Sequence, residues 1–206
     1  MSEFKLSDKV IRDAERHLHK SDAVMARLVT DYGPCPLAER DNLPFHTLAR
    51  SIISQQLSAK AADTIERRVA QIVPAPFGPD EVLAVSVESL RSAGLSARKV
   101  GFIRQLAEHV TTGCLNFDEL ATCPDESVII ALTELPGIGR WTAEMFLIFG
   151  LKRPDVLALG DAGLRRAAKM LYQDSDGGVL ERVSGAWRPY RSVASWYLWK
   201  HLDVVG

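Results

Sequence analysis

The chain has 206 residues, of which 47% are hydrophobic and 25% charged, with a formal net charge of −1. This composition is ordinary for a soluble globular protein of one or two small domains, and the near-zero charge disfavours a purely electrostatic nucleic-acid binder. No apolar run is long enough to span a membrane, and the polar N-terminus MSEFKLSDKV lacks a signal-peptide core. Three cysteines without CxxC spacing favour neither a disulfide framework nor a zinc site.

Apolar side chains recur at the spacing of helices along most of the chain. Clusters of Gly and Pro separate these segments. No segment alternates apolar and polar residues over the length of a strand, so we predict an all-α protein. The predicted helices cover residues 1–32, 45–53, 59–73, 79–93, 97–110, 125–132 and 141–149, with a short turn near 117–121 and a helix after Asp161.

The most informative stretch is LPGIGRWTAEMFLIFGLKRPDVLALGDAGLR, residues 135–165. Its PGIG segment has too many helix breakers for a helix interior, and helical patterns flank it on both sides. We therefore predict a helix, a tight hairpin and a second helix over about residues 125–149. The glycines would let the backbone approach an anion such as a DNA phosphate at the second helix's N-terminus. An ordinary connection between two helices has the same pattern.

This stretch resembles the helix-hairpin-helix DNA glycosylase superfamily, in which a hairpin of this kind precedes a catalytic Asp. With Trp141 after the hairpin, it is similar to the AlkA-type 3-methyladenine DNA glycosylase II branch. Two further motifs match that branch, IISQQLSAKAA at residues 52–62 and WRPYRSVASWYLW at residues 187–199. The three motifs stand in the family's order and span most of the chain from about Phe45 to His201.

The resemblance implies the HhH-GPD fold, which is all-α with two helical lobes, a central cleft and a helix-hairpin-helix motif. It implies one HhH-GPD region over residues 1–206 made of two interleaved lobes, without the N-terminal β-rich domain of the longer bacterial type. No Cys lies beyond Cys123, so the iron–sulfur cluster of some relatives is not expected. No cofactor is expected to be required, although the carbonyls of Thr133, Leu135 and Ile138 would hold a structural Na⁺ or K⁺ at the hairpin.

Asp161 is the predicted catalytic residue. By spacing alone, an Asp before Ala162-Gly163-Leu164 is a good helix N-cap, whereas the resemblance implies the catalytic position. A fixed carboxylate there would stabilise an oxocarbenium-like sugar and orient the attacking water. Asp155 is a weaker candidate. Strand-cutting relatives carry a Lys at the position of Trp141, so the resemblance implies an enzyme that releases a base without lyase activity.

The remaining site residues are also assigned through the resemblance. The Gln55, Gln56 and Leu57 segment is either a solvated loop or a wedge inserted into DNA, and which of the three inserts stays open. The aromatic residues near the C-terminus are either core or a stacking pocket, and Arg191 with Ser192 would brace either Asp161 or the pocket. The predicted base pocket comprises Trp141, Met145, Tyr197 and Trp199, where Met145 replaces a Tyr of the bacterial type. The predicted phosphate contacts are Ser58, Gly137, Gly139, Arg140 and Thr142.

The function implied is a monofunctional DNA glycosylase of base excision repair that flips alkylated purines, such as 3-methyladenine and 7-methylguanine, and hydrolyses the N-glycosidic bond. Its partner would be double-stranded DNA with an alkylated base or an abasic site, bound by a monomer in the cytoplasm or nucleoid, or in a eukaryotic nucleus. Between Arg140 and Lys200 ten Lys and Arg residues stand against six Asp and Glu residues, which is compatible with a basic face. The alternatives are a non-catalytic damage-binding protein, a glycosylase for another lesion class, and a helical protein with a chance PGIG.

Overall fold

The structure is a computed structural model that describes residues 6–39, 43–174 and 176–205. Within these ranges the regular structure is entirely helical, which confirms the predicted all-α class. None of the described helices is both long enough and apolar enough to span a bilayer. The helices are α1 (Asp8–Ser21), α2 (Ala23–Tyr32), α3 (Pro44–Ser54), α4 (Ala59–Ile72), α5 (Pro79–Ala84), α6 (Val87–Ser92), α7 (Ala97–Thr111), α8 (Phe117–Thr122), α9 (Asp125–Thr133), α10 (Arg140–Met145), α11 (Ala162–Tyr172), α12 (Val179–Ser184) and α13 (Arg191–Val205).

The chain divides into two compact units. The first, here called the split unit, combines Met1–Asp41 with Leu147–Gly206. The second, the inserted unit, is the continuous segment Asn42–Phe146. The split unit therefore contains α1, α2 and α11–α13, and the inserted unit contains α3–α10.

The helices of the inserted unit begin where the sequence places polar caps. Ser58, Ser86 and Ser96 each accept a hydrogen bond from a backbone N–H in the first turn of α4, α6 and α7, which satisfies one of the donors that a helix start leaves unpaired. Apolar side chains on the inner faces then form the core, including Leu48, Ile52, Leu90, Ile103, Leu106 and Leu132.

Two helices predicted as continuous are divided in the structure. The predicted helix 1–32 is broken at Asp22, and its residues 1–5 lie outside the described residues. Asp22 is extended, and its Oδ1 accepts hydrogen bonds from the N–H groups of Val24 and Met25, so it starts a new helix. The predicted helix 79–93 is divided in the same way at Ser86. In both cases the helical spacing of apolar residues continues across the break, so the periodicity gave no sign of the capping residue.

The core of the split unit is organised around aromatic side chains that carry polar atoms. Asp22 uses its Oδ2 to accept hydrogen bonds from the indole N–H of Trp187, at 3.0 Å, and from the hydroxyl of Tyr172. Tyr197 is fully buried on α13. Burying a large aromatic ring contributes roughly 1.5–3 kcal/mol only if its polar atom finds a partner, and these contacts supply the partners.

The predicted helix-hairpin-helix is present in the inserted unit as α9, a turn and α10. Gly137 has φ +87°, a backbone conformation that residues with a side chain rarely adopt. A Cβ at this position would lie 2.2 Å from Cδ2 of Phe102 on α7. The turn therefore requires Gly137 for both conformation and space. Beyond Met145 the helix widens into a π-helical segment over Phe146–Gly150, which the sequence pattern did not predict.

We expect Gly137→Ala to destabilise the protein by about 1–3 kcal/mol, because it forces a side chain into a left-handed conformation and against Phe102. Gly139→Ala is the matched control, since Gly139 has φ −95° and nothing lies within 4 Å of the position that its Cβ would take. Its cost should be below about 1 kcal/mol, the penalty for an apolar N-cap. Urea unfolding followed by circular dichroism measures both, and equal losses would contradict this account of the turn.

Candidate functional site

The residues that the sequence singled out fall into two groups, one in each unit. The split unit holds Asp161, Tyr197 and Trp199 together with Asp155 and Arg191. The inserted unit holds the hairpin residues and the loop between α3 and α4. Each group forms a local structure of its own.

Asp161 lies at the N-terminus of α11 and is 8% exposed. Its Oδ1 accepts a hydrogen bond of 2.7 Å from the N–H of Leu164, which is the capping geometry that spacing alone predicted. The same oxygen accepts a bond of 3.2 Å from the indole Nε1–H of Trp199 on α13. A helix cap and a side chain from a distant part of the sequence together fix the orientation of this carboxylate.

Trp199 is half-buried, and its ring packs against Phe149 with centroids 5.9 Å apart and planes inclined by 31°. Phe149 belongs to the π-helical segment and was not among the predicted site residues. In the sequence Phe149 is one more apolar residue of a helical pattern. The feature that distinguishes it is its place in the π-helical segment, which is seen only in the structure. Together Trp199 and Phe149 place aromatic surface next to the Asp161 carboxylate.

Tyr197 is placed in the core, with 0% of its surface exposed. Its hydroxyl lies 3.0 Å from Oε1 of Glu15 and 2.8 Å from the carbonyl oxygen of Gly33. Burial, reinforced by the nearby Glu15 carboxylate, raises the pKa of this hydroxyl above its ordinary value. Of the predicted pocket aromatics in the split unit, Trp199 is therefore the one whose ring contacts Asp161, whereas Tyr197 ties α13 to the loop after α2.

Asp155 is engaged at the start of α13. The guanidinium of Arg191 donates to its carboxylate from Nε at 2.7 Å and from Nη2 at 2.9 Å, and the backbone N–H of Arg191 donates to it at 3.2 Å. Arg188 adds a longer contact of 3.2 Å. Fork-shaped pairs of this kind are among the strongest hydrogen-bonded ion pairs in proteins. Asp155 thus has a structural role, because it anchors the start of α13. Arg191 bonds to Asp155 rather than to Asp161.

Ser192 completes the attachment of the segment that leads to Asp161. Its fully buried hydroxyl donates to the carbonyl of Arg153 at 2.6 Å and accepts from the N–H of Val156 at 3.0 Å. Its own N–H donates to the carbonyl of Pro154 at 3.0 Å. The first turn of α13 therefore holds residues 153–156, and Trp199, two turns further along the same helix, contacts Asp161.

The hairpin residues differ in how accessible their side chains are. Trp141 is 44% exposed, whereas Thr142 and Met145 are buried. A phosphate contact at Thr142 would accordingly be left to its backbone N–H, one of the unpaired donors of the first helical turn. Arg140 forms two hydrogen bonds to Glu126, at 2.9 and 2.8 Å, and these lower the pKa of that carboxyl. A phosphate approaching Arg140 would compete with Glu126.

The three residues of the predicted wedge also differ from one another. Gln55 is part-buried, and its Nε2 donates a hydrogen bond of 2.7 Å to the carbonyl of Gly137 in the hairpin. Gln56 and Leu57 are exposed, and Gln56 has φ +57°. Ser58 next to them uses its hydroxyl as the cap of α4. Gln55 is therefore anchored to the hairpin, whereas Gln56 and Leu57 are exposed to solvent.

The hairpin carbonyls predicted to bind a monovalent cation fit such a role chemically. Thr133 is the last residue of α9, where carbonyl groups lack helical partners and the helix dipole favours a cation. The Leu135 carbonyl accepts one hydrogen bond, from the N–H of Ile138 at 3.1 Å, and a carbonyl oxygen has a second lone pair. No group of three or more His, Cys, Asp or Glu side chains within residues 6–39, 43–174 and 176–205 is arranged to hold a metal ion.

Comparison with known proteins identifies similar chains that cover nearly the whole sequence. The family model for the HhH-GPD superfamily base excision DNA repair protein matches residues 49–188. DNA-3-methyladenine glycosylase 1 of Schizosaccharomyces pombe is 36% identical over an alignment of 200 residues, which covers 91% of this chain and 86% of the relative.

Two solved structures have a similar fold. The DNA-3-methyladenine glycosidase of Bacillus halodurans is 43% identical with a TM-score of 0.78, over 91% of this chain and 88% of that chain. The 3-methyladenine DNA glycosylase of S. pombe in complex with abasic DNA is 33% identical with a TM-score of 0.79, over 94% of this chain and 98% of that chain.

The attachment of α13 can be tested by a double-mutant cycle of Arg191→Met and Asp155→Ala. Both side chains are largely shielded from solvent, so we expect a coupling free energy of about 1–3 kcal/mol in urea unfolding. A second cycle with Arg188→Met is the internal control. The Arg188 side chain is 61% exposed, and its coupling to Asp155 should stay below about 1 kcal/mol. Equal couplings would contradict the assignment of Arg191 as the main partner.

Proposed function

The chain belongs to the HhH-GPD superfamily of base excision DNA repair proteins, and on that basis we propose that it is a monofunctional DNA glycosylase that removes alkylated purines. The observation that carries this proposal is the Asp161 carboxylate, held at the start of α11 and in contact with Trp199. The relatives named as 3-methyladenine glycosylases support 3-methyladenine as a substrate. We include 7-methylguanine because its ring is also cationic.

In the proposed reaction, the bond between C1′ and the base nitrogen breaks, and its electron pair leaves with the base. An alkylated purine carries a positive charge before cleavage and leaves as a neutral molecule, so no general acid is needed. The sugar becomes oxocarbenium-like, and the negative charge of Asp161 stabilises it. Water then adds to C1′, and Asp161 orients it or accepts its proton. The products are the free base and an abasic site.

Recognition of the base would come from the aromatic surface beside Asp161. A cationic ring is attracted to the face of an indole, and stacking of one base on an aromatic side chain contributes roughly 1–3 kcal/mol. Trp199 is the residue best placed for this, because its ring is half-buried, packs on Phe149 and is oriented by its bond to Asp161. An undamaged purine is neutral and gains less from the same contact.

The hydrolytic outcome follows from the residue types at the hairpin. A glycosylase that also cuts the strand needs an amine nucleophile that forms a Schiff base with the sugar. The indole of Trp141 has no such amine, and residues 133–142 contain no Lys. The abasic strand should therefore stay intact until alkali or another enzyme cleaves it.

We further propose that the hairpin binds the DNA backbone through Gly137, Gly139 and the start of α10. The carbonyls of Thr133, Leu135 and Ile138 would hold a Na⁺ or K⁺ ion that a phosphate oxygen also contacts. The partner is double-stranded DNA containing an alkylated base or an abasic site. The protein acts as a monomer in the compartment that contains the DNA.

The rival proposals use the same structure differently. A non-catalytic damage-binding protein would bind DNA through the hairpin without cleaving any bond. A glycosylase for another lesion class would use Asp161 on a different base. The catalytic assay below separates them.

The proposal predicts that the wild-type protein releases methylated purines from duplex DNA, with strand breaks appearing only after alkali. Asp161→Asn should lower the single-turnover rate by on the order of 10²–10³-fold, the usual loss when a charge-stabilising group is removed. Asn is as good an N-cap as Asp, so the variant should keep α11 and its unfolding midpoint.

Asp118→Asn is the matched control, because it makes the same chemical change at an exposed position in α8. It should leave the rate unchanged. Undiminished release by Asp161→Asn would overturn the assigned role. Absence of release by the wild type, with retained binding to an abasic duplex, would favour the damage-binding protein, and release of only other lesions would favour the third proposal.

The cation has a separate test in binding to an abasic duplex. Replacing K⁺ by tetramethylammonium at equal ionic strength should weaken binding by on the order of tenfold, about 1.4 kcal/mol, because tetramethylammonium is too large for a site made of backbone carbonyls. Fluorescence anisotropy measures both affinities. Equal affinities in the two salts would rule out the cation as a DNA contact.

A further inference from the structure

The loop between α3 and α4 has a defined geometry. Gln55 has φ −51° and ψ 132°, Gln56 has φ +57°, and the N–H of Leu57 donates to the carbonyl of Ser54 at 3.2 Å. These are the features of a type II turn with Gln56 at the position that usually requires Gly. A Gln held in a left-handed conformation needs surrounding contacts that fix it.

Lys99, on α7, supplies two of these contacts. Its Nζ donates hydrogen bonds of 2.7 Å to the carbonyls of Ile53 and Gln55, which lie at the end of α3 where helical partners are missing. An ammonium group is also favoured there by the helix dipole. The Gln55 carbonyl belongs to the peptide group that precedes Gln56, so the bond from Lys99 fixes the orientation of that peptide.

The same loop is bonded directly to the hairpin. The side-chain amide of Gln55 donates to the carbonyl of Gly137 at 2.7 Å. The ring of Phe102, one turn along α7 from Lys99, also packs closely against Gly137, and the guanidinium of Arg98 lies over that ring, 5.2 Å from its centre. The first turns of α7 therefore contact both the loop and the hairpin, and Gln55 connects the two.

We infer that Lys99 and Gln55 are positioning residues, which hold the exposed Gln56 and Leu57 at a fixed place relative to the phosphate-binding hairpin. This inference rests on the proposed function and assigns different roles to the residues of the loop. Gln55 anchors the loop, and Gln56 or Leu57 enters the space that the extruded base leaves. Because the loop is bonded to the phosphate-binding hairpin, Gln56 and Leu57 are already in place when the base leaves the stack. The flipping step then carries no entropy cost for ordering the loop.

The test measures single-turnover release of the methylated purine that the wild type removes, from two duplexes. In one duplex the lesion is paired, and in the other it lies opposite a mismatched base. Lys99→Met should lower the rate on the paired lesion by about 10–100-fold, because a small displacement of a positioned group has effects of this size. On the mismatched lesion the fold-decrease in rate should be about tenfold smaller than on the paired lesion, because an unpaired base costs less free energy to extrude.

Three further variants make the result specific. Lys99→Arg can still donate to both carbonyls and should restore most of the rate on the paired lesion. Gln55→Met removes the side-chain bond to Gly137 but keeps the backbone carbonyls that accept from Lys99, and should show the same dependence on pairing. Lys9→Met removes one positive charge at an exposed position of α1 and should behave like the wild type. Unfolding midpoints verify that each variant is folded.

The outcomes are distinguishable. An equal loss on both duplexes, or no loss in Lys99→Met and Gln55→Met while the wild type is active, overturns the positioning role and leaves the proposed function intact. If Lys99→Met does not fold, Gln55→Met decides between the same results. A wild type that releases no base from either duplex overturns the proposed function, and this inference with it.

Discussion

The contact between the Asp161 carboxylate and the indole N–H of Trp199 links the folding of the split unit to the proposed chemistry. The same oxygen closes the first turn of α11, so the carboxylate is required before any substrate arrives. Because two donors already orient it, little reorganisation remains when positive charge develops nearby, and that is the condition under which a buried charge is most effective. In the proposed reaction, catalysis depends on the same side chain as the start of α11, and its conservative exchange to Asn separates the two.

Helix α13 has a similar double role. Its first turn holds residues 153–156 through Arg191 and Ser192, and further along it presents Trp199 to Asp161. The aromatic motif near the C-terminus is thus not purely core. Tyr197 faces the core and bonds to the loop after α2, whereas Trp199 faces the carboxylate. Of the two possibilities left open by the sequence, the core is realised at Tyr197, and the stacking pocket remains a proposal for Trp199 on another face of the same helix.

The sequence predicted the helical class, the hairpin, most helix starts and the cap at Asp161, because each depends on local chemistry: apolar spacing, Gly at a left-handed turn, or a capping carboxylate. It did not predict the breaks at Asp22 and Ser86, where apolar spacing runs through the cap. Nor did it indicate Phe149 or Lys99. Their roles depend on a π-helical segment and on contacts with residues far away in the sequence, and neither leaves a periodic signal.

The division into a continuous inserted unit and a split unit has a consequence for biosynthesis. As the chain leaves the ribosome, Asn42–Phe146 is complete long before α13 has been made, so the inserted unit can fold while translation continues. Helices α1 and α2 can pack on each other, but α13, which contacts both of them, is made last, so part of their apolar surface has no partner until then. During this interval a chaperone that binds exposed apolar helices would have its target in α1 and α2, although these two helices are synthesised before the inserted unit.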